Sequence, residues 1–118
     1  MTYEDDFITA FDNNSDEQLN ALLNPKNMTI TYYSLLYHWL SIQRLDIFMW
    51  NAQWHLKRKT PFELYNERDV FELCCAFGHK DLADWFYKNY TIYISRYVPV
   101  NARTLGFIDL AEWLEKLT

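Results

Sequence analysis

The sequence predicts an all-α fold, a short solenoid of about four stacked helical hairpins, and three observations carry the prediction. Composition is the first: 50% of the 118 residues are apolar and 19% aromatic, against 2 Gly and 3 Pro. So little glycine excludes a Gly-rich phosphate loop and a turn-dense β-barrel. A chain of this size buries about two thirds of its unfolded surface, which argues against disorder and for one domain spanning 1–118. Internal repetition is the second. Gly78-His79-Lys80-Asp81-Leu82-Ala83-Asp84-Trp85-Phe86 returns as Gly106-Phe107-Ile108-Asp109-Leu110-Ala111-Glu112-Trp113-Leu114, identical at five of nine positions. Periodicity is the third: the residues four, seven and eight beyond Ser15, Gly78 and Gly106 are Leu19, Leu22 and Leu23, then Leu82, Trp85 and Phe86, then Leu110, Trp113 and Leu114, which is helical spacing of apolar residues.

In chain order, the first unit is Ser15-Asp16-Glu17-Gln18-Leu19-Asn20-Ala21-Leu22-Leu23, where Ser15 and Gln18 suit an N-cap and its N3 partner. The apolar segment 35–42 predicts the first helix of the next hairpin. The segment 43–50 predicts its second helix and keeps Asp46, Ile47 and Trp50 at the repeat's offsets. Starting residues at 15, 43, 78 and 106 are separated by 28, 35 and 28. The surplus of the longer spacing falls in 51–68, expected as a long loop with the basic cluster Lys57-Arg58-Lys59 and a capped Thr60-Pro61-Phe62-Glu63 turn. Asp69 with Glu72 predicts the start of the next helix, running to Phe77, with Gly78 at its boundary. The segment 91–97 alternates like a strand without a visible partner, so it is expected as an extended connector. Trp50, Trp85 and Trp113 recur at one position of the second helices and are expected in the core, with Asp84, Glu112 and Glu115 on the solvated faces.

The run Asp69-Val70-Phe71-Glu72-Leu73-Cys74-Cys75-Ala76-Phe77-Gly78-His79 resembles the ankyrin repeat, whose consensus opens Thr-Pro-Leu-His-x-Ala and reaches a Gly-His pair before its second helix. Phe71 takes the consensus Leu, and Cys74 and Cys75 take the paired small residues. Ser34-Leu35-Leu36-Tyr37-His38-Trp39-Leu40 aligns less well, and 97–102 keeps only Ala102. Spacings of 28 fall short of the usual ~33 residues, and the Asp-Gly turns of ankyrin β-hairpins are missing, so shortened loops are expected. Trp39 and Leu40 stand where the family has small side chains, which implies looser stacking of the first two hairpins. The degenerate, Trp-rich pattern is similar to repeats of large DNA viruses and phages. The resemblance implies a protein-binding surface on the first helices, with His38, Ser41, Leu73, Phe77, Asn101 and Thr104 exposed.

With 11 Lys+Arg against 16 Asp+Glu, the net charge of −5 argues against direct nucleic-acid binding. It leaves room for a basic or nucleic-acid-binding protein as the partner. The acidic N-terminus excludes a signal peptide, and no apolar stretch approaches the ~20 residues that span a bilayer, so a cytoplasmic location, in a host cell for a viral protein, is expected. Adjacent Cys74 and Cys75 cannot build a disulfide framework, and the scattered His38, His55 and His79 offer no metal-ligand spacing, so no cofactor is expected. The expected function is a non-enzymatic inhibitor or adaptor that occupies a partner's surface. Lys57, Arg58 and Lys59 form a second candidate contact. The alternatives are an acidic viral or phage anti-defence protein, similar to anti-CRISPR proteins and acting as a nucleic-acid mimic, and more remotely a Cys-dependent enzyme. Oligomeric state is not legible.

Overall fold

The computed structural model describes residues 2–58 and 67–118, among which eight helices and no strand occur. The chain divides into two compact units, Met1–Leu64 and Tyr65–Thr118. The expected turn at Thr60 to Glu63, and Lys59 before it, lie outside the described residues.

The first unit holds α1 (Tyr3–Asp12), α2 (Asp16–Leu22), α3 (Tyr32–Ser41) and α4 (Leu45–Arg58). Hydroxyl caps start three of them: Thr2, Ser15 and Thr31 accept from the amides of Asp5, Gln18 and Ser34 at 3.1, 3.4 and 3.0 Å. α1 pairs with α2 and α3 with α4. Phe7, Leu19, Leu23, Leu35, Leu36, Trp39, Ile47 and Phe48 close the core. The Tyr32 hydroxyl donates to the Asn51 carbonyl at 2.6 Å, and the Tyr3 hydroxyl donates to that of Leu22.

The second unit holds α5 (Glu67–Ala76), α6 (Lys80–Asn89), α7 (Tyr97–Thr104) and α8 (Ile108–Leu117). α5 pairs with α6, α7 with α8, and α5 lies directly on α7. Pro99 is the third residue of α7, within the first turn, where its missing amide proton has no intrahelical partner to lose. Of the segment 91–97 expected as an extended connector, 91–95 is irregular, but Tyr97 already begins α7.

All four hairpins turn by the same device. Asn14, Gln43, Gly78 and Gly106 have φ of 54°, 61°, 79° and 88°. The amide of each reaches back three residues, and that of the next residue reaches back five: Gly78 to Cys75 and His79 to Cys74, Gly106 to Arg103 and Phe107 to Ala102, with the same pairs at Asn14 and Gln43. This pair of hydrogen bonds closes a helix C-terminus through a left-handed residue. The residue after it caps the next helix, so the chain reverses with almost no loop. Glu17, Asp46, Asp81 and Asp109 then fall in the first turn of each second helix, where an acid complements the helix dipole.

The expected sequence anchors were Ser15, Gln43, Gly78 and Gly106; the first is one residue late, because the turn residue is Asn14 and Ser15 is the following cap. Two further expectations are corrected. The segment expected as a long loop from Asn51 is helical through Arg58, which moves Lys57 and Arg58 onto the last turn of α4. Asp69 is not an N-cap, since α5 already begins at Glu67.

The tryptophan assignment is corrected as well. Counted from the turn residue, positions +4, +5 and +8 are buried in the last three hairpins: Ile47, Phe48 and Asn51; Leu82, Ala83 and Phe86; Leu110, Ala111 and Leu114. Position +7 lies about 110° around the helix from the centre of that face. Trp50, Trp85 and Trp113 stand there and are only half-buried. The fully buried tryptophan is Trp39, whose ring lies 5.3 Å from that of Phe7. At the equivalent position, four residues before the turn, the other hairpins carry Ala10, Cys74 and Ala102. Small residues there let α5 and α7 approach closely, whereas α1 and α3 are held apart and bridged by the Phe7–Trp39 contact.

In each unit, the residue after the later turn touches the earlier turn. Arg44 binds Asp12 at 2.8 Å and lies over the Phe11 ring, and Phe107 lies against Gly78, where a Cβ would meet its ring at 2.7 Å.

Candidate functional site

The first helix of each hairpin buries one side and leaves the other open, and the open side has a fixed register. Positions −6, −2 and −1 before the turn residue are Tyr37, Ser41 and Ile42 on α3 and its C-cap, and Val100, Thr104 and Leu105 on α7 and its C-cap. The large apolar members are exposed, at 48% for Tyr37, 42% for Ile42, 59% for Val100 and 56% for Leu105. The Ser41 and Thr104 hydroxyls donate to the carbonyls of Tyr37 and Val100 at 2.9 and 3.0 Å, which ties −2 to −6 along one helix face. On α5 the same register holds half-buried Glu72, exposed Ala76 and half-buried Phe77.

The surface expected from the sequence overlaps this register in part. Ser41, Asn101 and Thr104 are exposed as expected. Leu73, at −5, is buried at 8% exposure, and His38, also at −5, is half-buried with its ring 5.1 Å from that of Trp39. Asn101 shares the −5 position and is exposed, so burial there differs from hairpin to hairpin. Phe77 is half-buried rather than exposed.

The basic cluster occupies a separate place in the first unit. Lys57 and Arg58 line an open cleft of about 240 Å³ between α2 and α4, with Asp16, Asn20, Trp50 and Trp54. Asn20 Oδ1 accepts from Trp54 Nε1 at 2.8 Å and from Arg58 Nη2 at 3.0 Å, and the guanidinium lies 4.9 Å from the centre of the Trp54 ring. In the second unit a cleft of about 690 Å³ borders the 91–96 connector, with Arg96 over the Tyr97 ring at its edge.

Charge chemistry elsewhere is structural. Arg44 bridges Asp12 and Asp46, which raises its own pKa and, through its hydrogen bond, holds the Asp46 carboxyl below the usual range. Cys74 and Cys75 are free and buried. Burial pushes both thiols up, Cys75 to about 12 with Glu72 adding to the effect, and Cys74 further with its neighbouring thiol adding. Burial of this kind disfavours the thiolate form. Among the described residues no three His, Cys, Asp or Glu side chains gather as metal ligands, and no helix is long and apolar enough to cross a membrane. No family model, curated protein or solved structure matches the chain.

Proposed function

We propose that this chain is an ankyrin-like protein-interaction module, a short helical solenoid that acts as an inhibitor or adaptor by occupying a partner's surface and performs no chemistry of its own. The observation that carries the reading is the repeated register of the first helices, which leaves Tyr37, Ile42, Val100 and Leu105 exposed at equivalent positions. Isolated exposed apolar residues are ordinary, but the same register exposed on α3 and α7 favours recognition. The hairpin architecture and the small residues before three of the four turns support the ankyrin-like part of the reading. The buried, protonated cysteines favour a packing role over a thiolate enzyme.

The test is affinity capture with the intact chain beside two charged variants, Tyr37→Asp with Ile42→Asp, and Val100→Asp with Leu105→Asp. A protein retained by the parent and released by either variant, at unchanged thermal midpoint, supports the surface. Retention by both variants places recognition elsewhere on the chain and overturns the reading.

A further inference from the structure

We propose that the cleft between α2 and α4 is a recognition site for an acidic peptide segment of a partner protein, with Lys57 and Arg58 meeting its carboxylate and Trp50 and Trp54 walling the carbon frame beside it. This surface differs from the first-helix faces, and it stands or falls independently of them.

Charge is the first argument. Arg44, Arg68, Lys88 and Arg103 each pair with a carboxylate of the chain itself; among the described residues Lys57 and Arg58 join none, as Lys26, Lys80, Arg96 and Lys116 join none, but of these six only Lys57 and Arg58 are neighbours in sequence. In a protein of net charge −5, two adjacent cations without an acidic partner make a local inversion of sign. Both sit in the last turn of α4, where a cation complements the helix dipole.

Preorganisation is the second. Asn20 Oδ1 holds Arg58 Nη2 and Trp54 Nε1 together, and the Trp54 face supports the guanidinium from beneath. A guanidinium fixed on two sides loses little rotamer freedom when a carboxylate arrives, and its remaining donors form the planar fork that carboxylates match. Asn20 is thus a positioning residue. Tryptophan beside arginine is also the pairing enriched at the energetic centres of protein interfaces.

Size and balance choose the ligand. A cleft of about 240 Å³ suits one or two side chains rather than a drug-sized cofactor. With Asp16 on its wall, the site offers two positive charges against one negative, which suits a single carboxylate. A polyphosphate backbone would need a longer basic track and would meet the repulsion of an acidic protein.

The test follows the indole N–H signals of the intact 15N-labelled chain, with those of Trp50 and Trp54 assigned through Trp50→Phe and Trp54→Phe. The probes are an acetylated, amidated Glu-Phe-Asp-Glu peptide, its Gln-Phe-Asn-Gln counterpart and a deoxythymidine decamer. The acidic peptide is expected to move the Trp50 and Trp54 signals alone and to bind more weakly as salt rises. Lys57→Gln with Arg58→Gln should weaken it roughly fivefold to tenfold, Asn20→Ala should weaken it less, and Lys116→Gln should leave it unchanged. Equal binding of the neutral peptide, stronger binding of the decamer, or undiminished binding by the Lys57, Arg58 double variant overturns the proposal. Absence of any shift at millimolar acidic peptide overturns it as well.

Discussion

At the residue scale, the two glycines separate conformation from packing. Both hold positive φ, but a Cβ at Gly78 would meet the Phe107 ring while one at Gly106 meets open space. Gly106→Ala should therefore cost about 1 to 2 kcal/mol for left-handed backbone alone. Gly78→Ala should cost about 2 to 4 kcal/mol, since Phe107 must also move. Denaturant titrations of the two variants check the order, and equal losses would contradict the contact. A second pair tests the second-helix face. Phe86→Ala removes a fully buried ring and should cost about 3 to 5 kcal/mol. Trp85→Ala removes a half-buried one and should cost about 1 to 2 kcal/mol, measured the same way. The thiols add a pH signature. Burial raises the folded pKa of Cys75 to about 12 and that of Cys74 further. The unfolded chain therefore gives up these protons first once pH passes about 8.5, and stability falls as pH rises beyond it. Tyr3, raised to about 12 chiefly by burial, acts in the same direction above about pH 10. Unfolding midpoints that stay flat from pH 8 to 11 would contradict that burial.

At the element scale, the hairpin is the unit that folds, and its turn explains what the sequence revealed and what it hid. Gly78 and Gly106 marked their turns because glycine tolerates positive φ. Gln43 carries no such mark and was placed by counting from Asp46 and Trp50, while Asn14 was missed by one residue because the capping serine beside it gave the stronger signal. The helix caps at Thr2 and Thr31 lack the Glu or Gln of a capping box, so they left no signature. Within the second unit, α5 buries its face against both α6 and α7, and Phe71 and Tyr87 each meet Trp113 of α8. A 1–96 fragment removes that cover. Amides of α5 and α6 in the fragment should lose most of their hydrogen-exchange protection. Protection equal to the intact chain would show that the α5–α6 hairpin stands alone.

At the scale of the whole molecule, one turn geometry is used four times, and on α3 and α7 it carries one register of exposed first-helix positions. That register was legible in part. Ser41, Asn101 and Thr104 are exposed as the ankyrin alignment implies, and Leu73 is not, because position −5 is buried on α5 and open on α7, a difference of packing that the alignment does not carry. Tyr37 and Val100 fall outside the exposed set that the ankyrin alignment implies. The cleft of Lys57 and Arg58 was visible only as charge; that Asn20 and Trp54 hold the arginine depends on a contact across 38 residues, which no local pattern encodes. Hydrogen exchange of the intact chain, alone and saturated with a captured partner, tests the interaction surface most directly. The account predicts new protection at 37–42 and 100–105, with the outer faces of α6 and α8 unchanged. Protection confined to 84–89 and 112–117, with the first helices exchanging as in the free chain, would contradict it.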